Sequence, residues 1–276
     1  MTQDTPAGMR LVMGILNVTP DSFYDGGAYL DTDAAVERGL EMLEEGADII
    51  DVGGESTRPG AMPVSEAKEI SRVVPVVEKL AGRVTVSIDT RKAAVAQRAI
   101  EAGATIINDV SASLYPIAAD LGVAWVAMHM KGEPRTMQQA PEYADVVREV
   151  DDFLCERARL AEAAGVGEVW VDPGIGFGKT FDHNLELLRA IPTLVSHGRP
   201  VVIGVSRKSF LGRISAPTSM DDLSPGERLD GSIATAIWAL MSGASVVRVH
   251  DVRATKQALG LIEACASTGS PLQAQM

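Results

Sequence analysis

The sequence predicts a single (β/α)8 barrel with its active site at the C-terminal ends of the strands. Three observations carry this. Eight short apolar runs, at 11–16, 48–52, 84–88, 105–107, 124–128, 168–171, 201–205 and 245–249, alternate with amphipathic stretches. The runs are apolar on both faces, as in parallel strands covered by helices, and do not alternate apolar with polar. The chain of 276 residues fits the ~250 residues typical of such a barrel. One domain over 1–276 is expected, with flexible tails at about 1–10 and 267–276. A doubly wound open sheet is the alternative, and eight evenly spaced strands favour closure.

The helices between the runs have chemical starts and stops. Asp31, Thr32 and Asp33 open one that ends near Gly46. Ser65-Glu66-Ala67-Lys68 opens the next, ending near Gly82. Segments 91–102, 144–164 and 229–241 stop at Gly103, Gly165 and Gly243, while 181–190 and 255–266 complete the set. Small polar starts and glycine stops are capping chemistry. Glu45-Gly46-Ala47-Asp48, Glu101-Ala102-Gly103-Ala104, Ala164-Gly165-Val166 and Ser242-Gly243-Ala244 recur where helix passes to strand. They are a repeated joint and not sites.

Composition bounds the function. The chain is 46% apolar and 22% charged, so it can bury a sizeable core. A net charge of -12 argues against nonspecific nucleic-acid binding. Any anionic ligand must be gathered by a local cluster of cations. Cys155 and Cys265 lie in predicted helices far apart, which argues against a disulfide framework or metal site and fits a reducing compartment. Residues 1–10 lack the apolar segment of a secretory signal, and the apolar runs are too short to span a bilayer. A soluble cytoplasmic protein is expected, without nucleic-acid or membrane partners.

The sixth run ends in Asp172-Pro173-Gly174-Ile175-Gly176-Phe177-Gly178-Lys179-Thr180. This is not a phosphate loop: Pro173 stands where G-x-x-x-x-G-K-[ST] needs glycine, and Lys179 replaces the third glycine of G-x-G-x-x-G. It is one of eight strand ends. The others carry Asn17, Gly53-Gly54-Glu55-Ser56-Thr57-Arg58-Pro59, Asp89-Thr90, Asn108-Asp109, His129, Ser206-Arg207-Lys208-Ser209 and Arg248-Val249-His250-Asp251. Each has a bland reading. A lone Asp or Asn after a strand is commonly a helix cap or turn former. Arg207-Lys208 alone reads as a solvated pair. Gathered in one mouth, however, these groups would be costly to bury without a ligand. Asp89, Asn108 and Asp172 suit the N–H edges of a flat heterocycle, and Lys208 a ring carbonyl or ring nitrogen. Arg58, Arg248 and His250 suit phosphate oxygens. Asn17 can help hold Mg²⁺ beside a pyrophosphate. No covalent nucleophile or zinc spacing competes.

At these residues the sequence resembles the dihydropteroate synthases, over about 13–266. The resemblance is carried by Met13-Gly14-Ile15-Leu16-Asn17-Val18-Thr19-Pro20-Asp21-Ser22-Phe23, Gly53 to Gly60, Ser87-Ile88-Asp89-Thr90, Ile107-Asn108-Asp109-Val110-Ser111, Met128-His129-Met130-Lys131-Gly132 with Pro134-Arg135-Thr136-Met137, Asp172 to Lys179, Ser206 to Gly212, and Arg248 to Asp251. It implies that 6-hydroxymethyl-7,8-dihydropterin pyrophosphate and p-aminobenzoate condense, in an SN1-like, Mg²⁺-dependent reaction, to 7,8-dihydropteroate and pyrophosphate in folate biosynthesis. It assigns Asp89, Asn108, Asp172, Lys208 and Met128 to the pterin. Asn17, Arg58, Arg248 and His250 go to pyrophosphate, with Asn17 on the metal. Thr57, Pro59, Phe177, Lys208, Ser209 and Phe23 go to p-aminobenzoate. Lys208, Arg248, His250, Arg58 and Asp21 form the implied catalytic set. Loops at about 19–27 and 55–62 are expected to be mobile and to order with ligands.

One departure stands after Ser111, where Ala112-Ser113-Leu114-Tyr115-Pro116 replaces a common glycine start. The p-aminobenzoate motifs are ordinary, which implies a sulfonamide-sensitive housekeeping enzyme. The resemblance also implies a homodimer through the C-terminal helices, although periodicity alone reads the apolar face of 229–241 with Trp238, and Ala258, Leu259, Ile262 and Ala266, as core. Two alternatives stay open: a methyltetrahydrofolate-dependent methyltransferase on the same barrel, and a pterin-binding paralogue without turnover.

Overall fold

In the computed structural model the apolar runs pair side by side as eight parallel strands, and the structure describes residues 10–19, 28–56, 62–133, 136–215 and 223–267. The order of elements is β1 (Leu11–Asn17), α1 (Ala28–Glu44), β2 (Ile49–Gly53), α2 (Glu66–Leu80), β3 (Thr85–Asp89), α3 (Ala93–Glu101), β4 (Ile106–Asp109), α4 (Tyr115–Leu121), β5 (Ala124–Met128), α5 (Val146–Ala163), β6 (Val169–Asp172), α6 (Phe181–Arg189), α7 (Ile191–Val195), β7 (Val202–Gly204), α8 (Ser209–Ser215), α9 (Leu229–Met241), β8 (Val246–Val249) and α10 (Val252–Ser267). A 3-10 turn spans Pro225–Arg228. Consecutive strands from β1 to β6 are neighbours, and β8 lies between β1 and β7. A bridge between Val171 and Val201 joins β6 to the start of β7 and closes the ring. The tails, the first loop with Asp21 and Phe23, and Thr57, Arg58 and Pro59 lie outside the described residues, as do the bodies of both loops expected to be mobile.

Alternation along each strand divides the core in two. Leu11, Met13, Ile49, Ile106, Ala124, Val126, Trp170, Val202 and Val246 form one buried cluster, every second residue of their strands, and fill the barrel's interior. Their neighbours in sequence, such as Val12, Ile50, Ile107, Trp125, Val171 and Val247, join the larger cluster beneath the helices. Both faces of the strands are therefore apolar, which is why the runs read as continuous.

The caps lie where the sequence places them. The Ser65 hydroxyl accepts from Lys68 N at 3.4 Å, and Thr180 forms a capping box with His183. The recurring joint is one conformation, with φ of +99° at Gly46, +112° at Gly103, +99° at Gly165 and +103° at Gly243, a region that favours glycine.

Three short helices, α4, α7 and α8, do not show in the sequence pattern. Pro116 and Pro192 stand in the first turns of α4 and α7, where proline is tolerated because that N–H needs no partner inside the helix. The departure after Ser111 falls on a strained residue: Ala112 is buried with φ +48°. Asp109 organises this rim. Its carboxylate accepts from Ser111 N at 2.8 Å, from Ser113 N and Leu114 N at 2.7 Å each, and from Trp125 Nε1 at 3.2 Å. Leu259 is core as the periodicity reads it, but Trp238 is 57% exposed, with Met241 and Leu261 exposed beside it on α9 and α10. The core reading of Trp238 fails because helical period does not distinguish a face turned to the barrel from one turned outward. Among the described residues no helix is long and apolar enough to cross a membrane.

Candidate active site

On β1, β4, β6 and β8 the inward positions change from apolar to polar as the strand approaches its C-terminal end, while β5 ends inward in the apolar Met128. Register pairs Asn17 with Gly53, Gly53 with Asp89, and Asp89 with Asn108 across four successive strands. Met128 pairs with Asp172, and Gly204 with Arg248. The two glycines keep this level open. A Cβ on Gly53 would lie 3.5 Å from Asp89 Cβ and 3.8 Å from Asn17 Oδ1. One on Gly204 would lie 3.8 Å from Lys208 Nζ, 3.9 Å from Arg248 Cβ and 4.0 Å from Asp172 Oδ2. The structure therefore brings Asn17, Asp89, Asn108, Met128, Asp172, Lys208 and Arg248 to one mouth.

The floor of this mouth is an ionic network around a residue the sequence reading passed over. Asp51, fully buried on β2, accepts from Arg248 Nε at 2.6 Å and from Asn108 Nδ2 at 2.9 Å through the same oxygen, Oδ2. Arg248 Nη2 donates to Asp89 Oδ2 at 2.7 Å. Arg248 is thus seated among carboxylates. Its pKa is raised because Asp51 and Asp89 outweigh a burial that opposes the charge. Burial pushes Asp89 up to about 7, with Arg248 opposing and Asp51, Glu69 and Asp109 adding. Asp89 does not cap α3: that start is held by Thr90, whose Oγ1 accepts from Lys92 N at 3.2 Å. Among the described residues, Asp51 Oδ1 and Ser87 Oγ are buried with no hydrogen-bond partner. Such orphans are expensive in a finished core and fit a floor built to meet a polar ligand. The signal for Asp51 was present in the sequence, as one charge inside the run Ile49-Ile50-Asp51-Val52.

Lys208 is turned inward by the residue before it. Arg207 holds φ +58° and is fastened outside, its N–H donating to Ser232 Oγ at 2.8 Å and its guanidinium to both oxygens of Asp251 at 3.0 and 2.5 Å. The pair is therefore one anchored arginine and one inward lysine. Lys208 Nζ donates to Ile175 O and lies 4.6 Å from the centroid of the Phe177 ring. Burial lowers it to about 8, with Asp172 opposing. Burial also raises Asp172, against Lys208, and its Oδ1 accepts from Gly174 N at 2.7 Å. His250 sits at the rim, with Nδ1 3.0 Å from Ser206 Oγ and its N–H donating to the same oxygen at 3.1 Å. Ser209 opens α8 and lines a cleft of about 610 Å³ with Gln138, Lys179, Phe181 and Arg213, beside the mouth; Asp89, Asn108 and Asp172 do not line it. Outside the mouth, on the wall of the barrel, His197 Nε2 pairs with Asp151 Oδ1 at 2.9 Å near Cys155.

Two glycines of the 173–180 turn, Gly174 and Gly178, answer to close backbone contact. A Cβ on Gly174, at φ +65°, would fall 1.9 Å from His129 O, and one on Gly178, at φ +62°, 2.2 Å from Lys131 O. Gly174→Ala should therefore lower unfolding free energy by about 2–3 kcal/mol, because backbone must move. A urea midpoint unchanged from wild type would refute this close approach.

The profile of the family described as pterin binding enzyme matches residues 13–250. The dihydropteroate synthase of Mycobacterium leprae is 47% identical over 271 residues, covering 95% of each chain. This chain belongs to the dihydropteroate synthase family. A dihydropteroate synthase structure from Yersinia pestis in a sulfonamide drug complex superposes with a TM-score of 0.87 at 43% identity, covering 95% of this chain and 96% of that one. One from Xanthomonas albilineans in complex with 7,8-dihydropteroate gives 0.84 at 41%, with the same coverage. The chain is a transferase of this family, on the (β/α)8 barrel expected from the sequence, and the methyltransferase alternative falls away.

Proposed function

We propose that this transferase joins 6-hydroxymethyl-7,8-dihydropterin pyrophosphate to p-aminobenzoate at the mouth just described, releasing pyrophosphate and supplying 7,8-dihydropteroate to folate synthesis in the cytoplasm. The observation that carries this reading is the polar level of Asp89, Asn108, Asp172, Lys208 and Arg248 over the buried, unpaired Oδ1 of Asp51. The Xanthomonas albilineans relative binds 7,8-dihydropteroate, the product such a site would form.

The pterin's N–H groups would meet the carboxylates of Asp89 and Asp172, Asn108 would present an amide edge, and Met128 an apolar wall. Lys208 would donate to the ring. Departure of pyrophosphate leaves a cation at the pterin methylene, delocalised into the ring. Arg58, Arg248 and His250 would stabilise the leaving charge. The amine of p-aminobenzoate, held on Phe177 with its carboxylate at Ser209 and with Thr57, Pro59 and Phe23 around it, attacks that carbon and gives up its proton. This path needs no protein nucleophile, and Asp21 would assist the same step. Asn17 fits Mg²⁺: its amide oxygen is a hard donor beside Asp89, and Mg²⁺ commonly takes one or two protein ligands plus substrate phosphates. When bound, Mg²⁺ would neutralise pyrophosphate charge.

The test is pyrophosphate release with the dihydropterin pyrophosphate, Mg²⁺ and p-aminobenzoate. Release that depends on p-aminobenzoate, and is competed by a sulfonamide, is expected; the Yersinia pestis relative binds such a drug. Tight pterin binding without release would move the reading to a non-catalytic paralogue.

The pH profile follows from two groups. Below about 7 Asp89 is protonated in the free enzyme and meets the pterin N–H groups as a neutral carboxyl and not as a carboxylate, so kcat/KM for the pterin substrate rises as pH passes up through about 7. It falls again as Lys208, near 8, loses its proton. A profile flat from about pH 6 to 9 would contradict both assignments.

A homodimer is proposed from the exposed Trp238, Met241 and Leu261 on neighbouring helices α9 and α10. Sedimentation should give twice the chain mass at micromolar concentration; a monomer would refute it.

A further inference from the structure

Four consecutive backbone carbonyls of the turn after β6 are each held by a different side chain. Ile175 O accepts from Lys208 Nζ, Gly176 O from Gln138 Nε2 at 2.5 Å, Phe177 O from Lys179 Nζ at 3.1 Å, and Gly178 O from Tyr143 Oη at 2.9 Å. A turn of this kind ordinarily gives such carbonyls to water. Here their donors come from three places: the segment between β5 and α5, the loop after β7, and the turn itself.

Lys179 is the centre of this arrangement. It is 3% exposed, and among the described residues no carboxylate bonds it. Its ammonium has three hydrogens and three acceptors: Phe177 O, His129 O at 3.4 Å and His129 Nδ1 at 3.0 Å. His129 is buried and packs edge-on against Phe153. Burial, with the charges of Lys179 and Lys131, pushes it down to about 3, so its ring is neutral and Nδ1 accepts. The lysine thus ties the end of β5 to the carbonyl of the residue whose ring faces Lys208.

We propose that Lys179, assisted by Gln138, is a positioning residue for the p-aminobenzoate platform, fixing the backbone of Phe177 so that its ring and Lys208 form one wall of that subsite. This rests on the function proposed above. Lys179 touches neither substrate in this reading and acts through Phe177. Only the ammonium fills all three acceptors; the neutral amine has two hydrogens and must release one. The groups facing it are His129 and Lys131 after β5, Asp172 on β6 and Lys208 after β7, and burial lowers it to about 7, with Asp172 opposing. The platform should therefore loosen as pH rises through about 7, below the range in which Lys208 titrates.

The test begins with wild type, whose p-aminobenzoate-dependent pyrophosphate release establishes the reading on which the inference rests. Lys179→Met should then raise KM for p-aminobenzoate about tenfold, with kcat and the Kd of the pterin pyrophosphate little changed. Its KM should also lose the rise that wild type shows as pH passes through about 7. A folded Lys179→Met with wild-type KM and wild-type pH dependence would overturn the inference while leaving the proposed function standing. If that variant does not fold, Gln138→Ala decides, since Gln138 is exposed and its loss should not unfold the barrel. It should raise the same KM about threefold, the loss of one hydrogen bond, and an unchanged KM would overturn the inference. Equal losses in affinity for both substrates would also overturn it, because they would mark a general structural role.

Discussion

Lys208→Ala should leave the barrel folded and lower kcat/KM by at least about a hundredfold, roughly 2.7 kcal/mol of transition-state binding. Lys208 is the one residue that bears on both proposed subsites. Its ammonium is placed by Arg207, strained at φ +58° and anchored to Asp251, and it reaches a point near Asp172 and the open space at Gly204. It also holds Ile175 O and faces the Phe177 ring. Alanine removes the donor to the pterin and one of the four ties on the platform, so kcat and both substrate affinities should suffer. Folding should not: burial has already lowered this lysine to about 8, which means the fold gains little from its charge. A change under threefold with intact circular dichroism would remove Lys208 from the site.

Asp51→Ala should cost about 3–5 kcal/mol of stability, the usual effect of removing one partner from a buried ionic network. Asp51 Oδ2 receives both Arg248 and Asn108, and alanine would leave Arg248 Nε and Asn108 Nδ2 without that acceptor at the barrel's centre. Among the described residues, Asp89 would remain as the carboxylate bonded to the guanidinium. Pterin affinity should fall with stability, since Arg248 and Asn108 lose their fixed positions. Asp51→Asn keeps an acceptor oxygen and should be milder on both counts. An unfolding free energy from urea titration within about 0.5 kcal/mol of wild type for Asp51→Ala would show that the floor is not under this load.

Much of this was legible in the sequence, and the misses have physical causes. Strands β1, β2, β3, β4 and β6 each run one or two residues past their apolar run, to Asn17, Gly53, Asp89, Asp109 and Asp172. Hydropathy falls away where the ladder continues, because the last inward positions are the polar ones that face the mouth. The boundary error therefore coincides with the site. Periodicity alone does not place Trp238, because an exposed apolar face has the same period as a buried one. Asp51 was hidden inside a run read for its apolar neighbours. Lys179 was noticed only as a residue that spoils a nucleotide motif, and its partners, His129 at the end of another strand and Phe177 two residues away, meet it only once the barrel is closed. The motif's glycines make sense in the same way, since Gly174 and Gly178 pass against the carbonyls of His129 and Lys131.

The departure at Ala112 has a milder meaning than the sequence suggests. The glycine's place is kept by an alanine in the left-handed region, and the Asp109 carboxylate holds the turn through four backbone and side-chain N–H donors and the Ser111 hydroxyl. Asn108, one residue earlier, keeps its contact with Asp51.

The most direct test of the account is a crystal structure of the protein with a stable pterin and p-aminobenzoate bound together. The account predicts the pterin ring between Asp89, Asn108 and Asp172, above Asp51, with the benzoate ring against Phe177 and its carboxylate at Ser209. A pterin seated instead in the cleft lined by Gln138, Phe181 and Arg213, with the barrel mouth left to solvent, would contradict it.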